Sequence, residues 1–334
     1  MSIPFQNDAN DANDANDAND ANDANTVAGV GAYSGRVTSL LLARALQTTQ
    51  GEITRGITAV GSLPAMTTGP VPLVQRMSRW SRDVRGHMYL FEFLADLTFD
   101  DSAGPTGSRR LLDRTGAEVA KLDPPAFENS PADLRTAVEE VINQAALRND
   151  RMEEILAQVT LPYSFFAMVL NLQPGRHRHT YELLGAVWRI STVVVMQFKH
   201  SFGIKRPADR SPLVQPVLLT PGHGAYPAGH ATQAHFAAEV LKKLLNLPPA
   251  GDDRAVQLDR LAERIAENRV VAGLHFRADN VEGKSLGEKL AAYFLTKADP
   301  PPPTGNPPPP TNQTPPAAPA LQWLWQRAKE EWPE

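Results

Sequence analysis

The stretch Tyr226-Pro227-Ala228-Gly229-His230-Ala231 is the part of the sequence from which the fold can be worked out. It predicts the start of a helix, because Pro227 suits the first helical position, where its missing N–H costs nothing. Residues recur at helical spacing after it, namely His230, Ala231, Ala234, Ala238, Leu241 and Leu245. The unpaired N–H groups and the positive dipole end of such a helix attract an anion, and Gly229 lets the anion approach the backbone closely.

Two cations, Lys199 and Arg206, precede this stretch. They are seven residues apart, a spacing that places both on about the same side of two helical turns. Pro207 then ends the predicted helix. We expect both side chains to add positive charge to the anion site.

A further group of polar residues follows the predicted helix. Arg269 ends a helical run that starts near Leu258, and Gly273 can cap this run in the left-handed conformation. His275 lies on the turn, and Asp279 shares its face if a helix resumes there. From that position the carboxylate can hold the imidazole in one tautomer. Together with the helix start, these residues predict a site for a tetrahedral oxyanion.

Each of these residues has a simpler interpretation when it is taken singly. An isolated lysine or arginine is usually a solvated surface charge, and an isolated histidine is more often structural than catalytic. Their joint occurrence, in this order and at these spacings, favours a functional site.

The joint pattern consists of Lys199-x6-Arg206-Pro207, then Pro227-Ala228-Gly229-His230, then Asn268-Arg269-x5-His275-x3-Asp279. It resembles the three-part signature of the vanadium-dependent haloperoxidase and type 2 phosphatidic acid phosphatase superfamily, over residues 199 to 279. The resemblance implies an all-α fold, a helical bundle of the vanadium haloperoxidase and acid phosphatase type. It also implies a set of roles: Lys199, Arg206, Gly229 and Arg269 bind the oxyanion next to Ala228, His230 is the acid–base residue, Asp279 orients His275, and His275 is bonded to vanadium or phosphorus.

The sequence departs from that signature at two positions. Ala228 and Asn268 both stand where the superfamily usually has serine. Loss of the first hydroxyl removes one hydrogen bond to the oxyanion, about 1 to 3 kcal/mol when the acceptor is charged. The second change can be absorbed by a side chain that still forms hydrogen bonds.

Three local features are similar to the haloperoxidase branch of the superfamily. The third motif has the form His-aromatic-Arg-x-Asp over residues 275–279, and Ala225-Tyr226-Pro227 precedes the glycine and histidine of the second. His223 lies where bromoperoxidases of this family have a second histidine and chloroperoxidases a phenylalanine. The alternative for His223 is a loop histidine between Gly222 and Gly224.

Composition limits the other possibilities. The 334 residues are 42% hydrophobic and carry a formal net charge of −4, which argues against nucleic acid as a partner. There are no cysteines, so disulfides and thiolate chemistry are absent, and a cytoplasmic location is expected. No signal peptide is evident at the start of the sequence. The helix predicted from Tyr181 to Phe202 has an uncharged run of about nine residues, against ~20 for a membrane span, so we expect a soluble protein.

The sequence suggests four segments. Residues 1–25 contain Asn-Asp-Ala repeats and are predicted to be a disordered tail, 26–298 a single helical catalytic domain, 299–320 a proline-rich linker, and 321–334 a short aromatic segment. The aromatic segment could dock on a neighbouring subunit or pack on its own domain. A homo-oligomer is therefore left open.

Within the domain, helical spacing predicts helices over Val37–Leu46, Val74–Leu97, Pro131–Asn149, Met152–Val159, Tyr163–Leu172, Tyr181–Phe202 and Leu286–Leu295. Two loops are expected, Leu63–Pro72 and the longer Asp100–Pro131, and the longer one can cover the site. Gln173–Thr180 is expected to be a solvated connector, because His177 and His179 lack the partners of a metal site.

The sequence thus favours a vanadate-dependent haloperoxidase that oxidises bromide or iodide with hydrogen peroxide, with vanadate bonded to His275 and a small organic acceptor as a further partner. Phosphate can occupy the same site. The main alternative is a soluble acid phosphatase that forms a phosphohistidine at His275. A phosphate-binding or scaffolding protein with a degenerate site is a third class.

Overall fold

The computed structural model describes residues 69–332, apart from 105, 161, 249–250 and 302–317. Before residue 69 it describes only residues 44, 47–49 and 52, which are helical. The predicted tail, the helix predicted over Val37–Leu46 apart from residue 44, and most of the predicted linker therefore lie outside the described residues.

Two units make up the chain, Met1–Arg85 and Gly86–Glu334. Helix α1, Leu73–Arg79, lies in the first, and α2, Arg82–Leu94, begins in the first and ends in the second. The single helix predicted from Val74 to Leu97 is thus two helices. They are separated at Trp80, whose extended backbone (ψ 146°) breaks the helical hydrogen-bond pattern.

The second unit carries the candidate site and is mainly helical, as predicted. Its helices after α2 are α3 (Pro131–Gln144), α4 (Arg148–Thr160), α5 (Pro162–Leu170), α6 (Arg178–Phe202), α7 (Pro207–Arg210), α8 (Gly229–Leu244), α9 (Asp253–Val271), α10 (Arg277–Ala298) and α11 (Pro319–Lys329), with 3-10 turns at Ala126–Asn129 and Ala145–Leu147. None of the described helices is long and apolar enough to cross a membrane.

Helix α8 is the centre of packing in this unit, where it contacts α6, α9 and α10. Two glycines of α10 allow the closest of these contacts. A Cβ atom on Gly283 would lie 2.7 Å from Ala228 O, and one on Gly287 would lie 2.6 Å from Thr232 O. Because neither glycine has a Cβ, the two helix backbones meet directly. The first turn of α10 is thereby brought to the start of α8, where Ala228 N donates to Asp279 O over 2.9 Å.

The loop predicted over Asp100–Pro131 is wrong in its first two thirds, because the segment forms an antiparallel sheet. Strands β1 (Thr98–Asp100), β2 (Arg109–Leu112) and β3 (Glu118–Leu122) pair in that order. The register places Phe99 opposite Leu111 and Leu111 opposite Ala120. The apolar side chains of β2 and β3 that face the protein are buried, whereas their neighbours are exposed. This period-two burial is the normal pattern of a strand with one face on a core.

The C-terminal aromatic segment packs on its own unit. Helix α11 contacts α6 and α10, and buries Leu321, Leu324 and Trp325 completely. Its first N–H groups, at Ala320 and Leu321, donate to the Glu92 carboxylate over 2.9 to 3.0 Å. The alternative of docking on the chain's own domain, which the sequence left open, is therefore the one that the structure shows.

The expectation of a solvated connector over Gln173–Thr180 holds for residues 173–176 and 178, which are exposed, and is wrong for His177, His179 and Thr180, because residues 331 and 332 fold against them. Glu331 accepts the backbone N–H groups of His179 and Thr180 over 2.7 and 2.8 Å, and so caps the start of α6. Trp332 stacks on His177 with ring centroids 4.4 Å apart. His177 is accordingly buried, and its contact with Trp332 holds the C-terminal residues against the start of α6.

Candidate active site

Lys199 lies in the last turn of α6, which ends where Gly203 adopts the left-handed conformation (φ 61°). Its side chain is buried, and Nζ donates to Gly224 O over 2.9 Å and to Ala225 O over 2.7 Å. An ammonium group has three protons, so one remains after these two bonds. Burial, assisted by the charge of Arg206, lowers the pKa of Lys199 to about 7.

Arg206 does not share a helix with Lys199, contrary to the prediction. Since α6 ends at Phe202, Arg206 lies in extended backbone immediately before α7, and Pro207 begins that short helix. The guanidinium is buried, with Nε donating to His223 O over 3.0 Å and Nη1 to Leu274 O over 2.9 Å. It therefore joins the loop before α8 to the loop before α10.

The start of α8 supplies backbone donors, as predicted, although the helix begins at Gly229 and Pro227 lies outside it. Ala228 occupies the N-cap position and provides no side-chain cap. The first N–H groups of α8 therefore lack the side-chain oxygen that an N-cap residue usually supplies. A Cβ on Gly229 would lie 3.8 Å from Val195 Cγ1, an ordinary van der Waals contact, so this turn is not crowded by its neighbours.

Arg269 is buried in the last turn of α9. Its Nη2 donates to Ile155 O over 3.1 Å and to Gln158 Oε1 over 3.0 Å. Its Nε and Nη1 atoms, also buried, find no hydrogen-bond partner among the described residues. Burial lowers the pKa of Arg269 to about 10, so the side chain stays charged at neutral pH. Two buried donors on a charged group indicate a site for an external acceptor.

His275 and Asp279 form the pair that the sequence predicted. Gly273 ends α9 in the left-handed conformation (φ 81°), and Asp279 lies in the first turn of α10. Asp279 Oδ2 lies 3.0 Å from His275 Nδ1 and accepts the Phe276 N–H over 2.9 Å. A proton on Nδ1 satisfies this contact and leaves a lone pair on Nε2, which Arg206 Nη1 approaches to 3.5 Å, the outer limit of a hydrogen bond.

The titration of this pair reflects its complete burial. The pKa of His275 falls well below its usual value because of burial and the nearby charges of Lys199 and Arg206. Burial raises the pKa of Asp279 to about 7, against the opposing effect of the Phe276 N–H. The imidazole is therefore neutral at physiological pH, as a ligand or nucleophile has to be.

His230 and His223 complete the set of site residues from the sequence. Loss of hydration, followed by the charges of Arg269 and Lys199, lowers the pKa of His230 to about 3. His223 is exposed, and its Nδ1 lies 3.1 Å from Arg206 Nη2. Loss of hydration lowers its pKa as well. The structure thus brings the predicted residues of all three motifs together, with His223 at the solvent side.

No family model matches the chain. A segment of 99 residues is 33% identical to the vanadium-dependent bromoperoxidase of Ascophyllum nodosum. This match covers 23% of this chain and 18% of that protein.

Over that segment the chain is similar to a member of the vanadium haloperoxidase and type 2 phosphatidic acid phosphatase superfamily, the one that its sequence motifs resemble.

Among solved structures, the transmembrane PAP2-type phosphatidylglycerolphosphate phosphatase from Bacillus subtilis is similar, with 22% identity, a TM-score of 0.37, and coverage of 49% of this chain and 85% of that one.

The two departures from the superfamily signature have different surroundings. Ala228 is completely buried, so the missing hydroxyl cannot be replaced by bulk water. Asn268 is also completely buried, and its Nδ2 donates to Gln158 Oε1 over 2.9 Å. The amide is therefore accommodated by hydrogen bonding, as the sequence suggested. Gln158 itself was missed, because a glutamine in a predicted helix has no pattern that separates it from a surface residue.

The sheet and the residue that follows it contact two of the motifs, and no sequence pattern predicts these contacts. Arg109 on β2 donates from Nε to Ser201 Oγ over 2.6 Å, two residues after Lys199. The Tyr226 hydroxyl donates over 2.5 Å to the backbone oxygen of Asp123, which follows β3. These bonds fix the end of α6 and the approach to α8.

The 3-10 turn at Ala126–Asn129 contacts the third motif. The Phe127 ring packs on the ring of Phe276, with centroids 4.7 Å apart, next to His275. Glu128 also forms an ion pair with Arg210 at the end of α7. This part of the segment predicted to be a loop thus packs along one side of the site and supports it.

The site fits a tetrahedral oxyanion. Arg269 presents two buried donors, the start of α8 has no side-chain cap, and Lys199 retains one N–H. No group of three or more acidic or histidine side chains that could enclose a bare cation occurs in the described part of the chain.

Proposed function

We propose that the protein is a vanadate-dependent haloperoxidase that oxidises bromide or iodide with hydrogen peroxide. The observation that carries the proposal is the environment of His275. Its imidazole is kept neutral, its Nδ1 faces the Asp279 carboxylate at 3.0 Å, and the buried cation Arg269 nearby has two N–H groups without partners among the described residues. This arrangement suits an anion that is both bonded to nitrogen and held through its oxygens.

His275 Nε2 would hold vanadium, and the oxygens would be held by Lys199, Arg206, Arg269 and the backbone N–H of Gly229. When bound, vanadate supplies Lewis acid activation of hydrogen peroxide without a change in its own oxidation state. The protein contributes fixed cations in a site from which water is largely excluded, where their effect on developing charge exceeds that in solvent.

His230 is the proton acceptor of the proposed reaction. The pKa of about 3 leaves its imidazole neutral before hydrogen peroxide arrives. The negative charge of a bound oxyanion opposes the effect of Arg269 and Lys199, and so makes the imidazole more basic. A neutral histidine that becomes more basic next to the anion can take the proton that hydrogen peroxide loses on binding.

The charge of the bound oxyanion also acts on Lys199, which is a hydrogen-bond donor in the proposed reaction. Its pKa of about 7 without an anion means that the ammonium form is only partly populated at neutral pH. A bound oxyanion stabilises the ammonium and raises its pKa. The remaining N–H can then polarise the oxygen that the halide attacks. The halide supplies two electrons, the O–O bond breaks, and uptake of one proton from solvent, beyond the two protons of hydrogen peroxide, gives hypohalous acid and water.

The branch of the superfamily is inferred from similarity. The 99-residue match is to a protein named as a vanadium-dependent bromoperoxidase. His223, whose Nδ1 lies 3.1 Å from Arg206, stands at the solvent side of the site, where a halide would arrive. Bromide and iodide are therefore favoured over chloride as substrates, with a small organic molecule as the acceptor of the oxidised halogen.

A phosphatase is the second candidate, because the same neutral His275 can attack phosphorus. Asp279 would stabilise the imidazolium that forms, and His230 would protonate the leaving group. Ala228 favours this alternative to some extent, since loss of a hydroxyl donor weakens the retention of an oxyanion cofactor. His230 does not separate the two candidates, because a bound phosphate ester would raise its pKa from about 3 just as bound vanadate would.

The test is reconstitution of the full chain. Phosphate-free protein is divided, and one half receives excess orthovanadate, because the alanine at position 228 weakens binding. We expect only the vanadate half to oxidise bromide and iodide with hydrogen peroxide. His275→Ala should lose this activity, whereas His200→Ala, at an exposed histidine of α6, should keep it. Rapid phosphate ester hydrolysis, with no halide oxidation in excess vanadate, would establish the phosphatase instead.

A further inference from the structure

Helix α4 accepts hydrogen bonds from one nitrogen of the Arg269 guanidinium, Nη2, and the other two nitrogens are the unpartnered ones. The Nη2 atom donates to two α4 acceptors, Ile155 O at 3.1 Å and Gln158 Oε1 at 3.0 Å. Gln158 is completely buried, and the same Oε1 accepts Asn268 Nδ2 over 2.9 Å. One amide oxygen therefore receives hydrogen bonds from two consecutive residues of the third motif.

The orientation of the Gln158 amide is fixed by its other end. Gln158 Nε2 donates to Glu154 Oε1 over 3.3 Å, and Glu154 is itself held by Arg264 over 2.9 to 3.1 Å. An amide with its NH2 group engaged in this way presents its oxygen, not its nitrogen, to Arg269.

Asn268 is fixed in the same manner. Its Oδ1 accepts Arg151 Nη1 over 3.3 Å, which directs its Nδ2 to Gln158. Asn268 thus occupies one lone pair of the glutamine oxygen and leaves the other for Arg269. The residue that replaces the usual serine of the signature is part of the support of Arg269.

We propose that Gln158 is a positioning residue of the oxyanion site, where it fixes the Arg269 guanidinium with a neutral acceptor. A guanidinium is planar, so two acceptors on Nη2 restrict its rotation and leave Nε and Nη1 for the anion. The acceptor has to be neutral, because a carboxylate at the same place would pair with the guanidinium and compete with the anion for its charge. This inference rests on the proposed function only in requiring that the site binds an oxyanion.

Variants that change the charge of the acceptor at residue 158 can distinguish a positioning role of Gln158 from a merely structural one. Gln158→Glu keeps the shape and the acceptor oxygen, whereas Gln158→Met keeps the volume and removes the hydrogen bond. Titration calorimetry of the full chain with inorganic phosphate, and separately with orthovanadate, gives the dissociation constants. We expect Gln158→Met to bind about tenfold more weakly, as for loss of a hydrogen bond to a charged group. Gln158→Glu should bind at least as weakly, because its carboxylate pairs with the guanidinium that the anion needs.

Lowering the pH should restore anion binding in the Gln158→Glu variant. When the introduced carboxyl takes up a proton it becomes a neutral isostere of glutamine, so the ratio of variant to wild-type dissociation constants should fall as the pH is lowered. Gln144→Glu, the same change at a half-buried position on α3, is the control and should bind as the wild type does.

The outcomes distinguish this inference from the proposed function. If the wild type binds neither phosphate nor vanadate, both are refuted. If the wild type binds, and Gln158→Glu binds equally well at every pH, Gln158 is only structural and the positioning role is refuted. If Gln158→Met does not fold, the glutamate variant and its pH profile decide alone.

Discussion

Acidification should destabilise the protein through the two buried site histidines, and His230→Gln isolates the contribution of one of them. The pKa of His230 falls from 6.5 to about 3 on folding, and that of His275 also falls well below 6.5. Between pH 6.5 and the folded-state pKa values, these two histidines bind protons in the unfolded chain but not in the folded protein. Stability therefore rises with pH in this range and is lost as the pH falls below about 6.5.

The magnitude follows from linkage. Each group that is protonated only in the unfolded state contributes about 1.4 kcal/mol of unfolding free energy per pH unit. Asp279 has the opposite sign, because its pKa rises from 3.8 to about 7 and the folded protein holds a proton that the unfolded chain loses. The wild-type slope is a net of these effects, but the difference between wild type and His230→Gln retains only His230. That difference should be small near pH 7, should approach about 1.4 kcal/mol per pH unit near pH 5, and should total about 2 kcal/mol between these pH values.

The assay is urea unfolding in phosphate-free buffer at several pH values between about 7 and 5, since anions would bind the site and change the titration. His200→Gln, at an exposed position on α6, should give the wild-type slope. Parallel stability profiles for wild type and His230→Gln would show that His230 is not held neutral by the fold, and would remove it as the proton acceptor.

Three further outcomes are expected. His275→Ala should abolish vanadium retention, measured by elemental analysis after desalting, while circular dichroism remains that of the wild type; full vanadium content would refute the ligand assignment. His223→Phe should change the bromide oxidation rate and its dependence on pH between about 5 and 8 without loss of bound vanadate, since histidine titrates in that range; unchanged kinetics would make it a loop histidine. Glu331→Gln weakens the charged cap on α6 and should lower the unfolding free energy by about 1 to 2 kcal/mol, whereas Glu330→Gln, at an exposed neighbour, should not.

The parts of the site that could be predicted from the sequence depend on local geometry. His275 and Asp279 are separated by one helical turn, and Gly273 ends a helix in the conformation that glycine tolerates best. These relations hold wherever the rest of the chain goes. The helix start at Gly229 belongs to the same class, although its first residue was misplaced by two positions.

The parts that could not be predicted depend on contacts between distant segments. Arg206 reaches the site because Gly203 ends α6 early and the chain turns back, a path that seven-residue spacing does not reveal. The sheet was taken for a loop because its strands are three to five residues long and interrupted by turn residues. Gln158 is 110 residues from Asn268, and no local pattern links the two.

The three cations of the site share one mode of support, and it explains why they are available to an anion. Lys199 is held by the carbonyl oxygens of Gly224 and Ala225. Arg206 is held by those of His223 and Leu274.

Arg269 is supported in the same way, by a carbonyl oxygen of Ile155 and the amide oxygen of Gln158. Among the described residues, no carboxylate forms a salt bridge with any of the three cation side chains, although Asp279 lies close enough to influence two of their pKa values. Neutral oxygens fix direction without cancelling charge, so the site keeps an excess of positive charge in a buried place. That excess costs stability while the site is empty, as the lowered pKa values of all three cations show. A tetrahedral oxyanion would remove this cost, and its binding should therefore stabilise the fold.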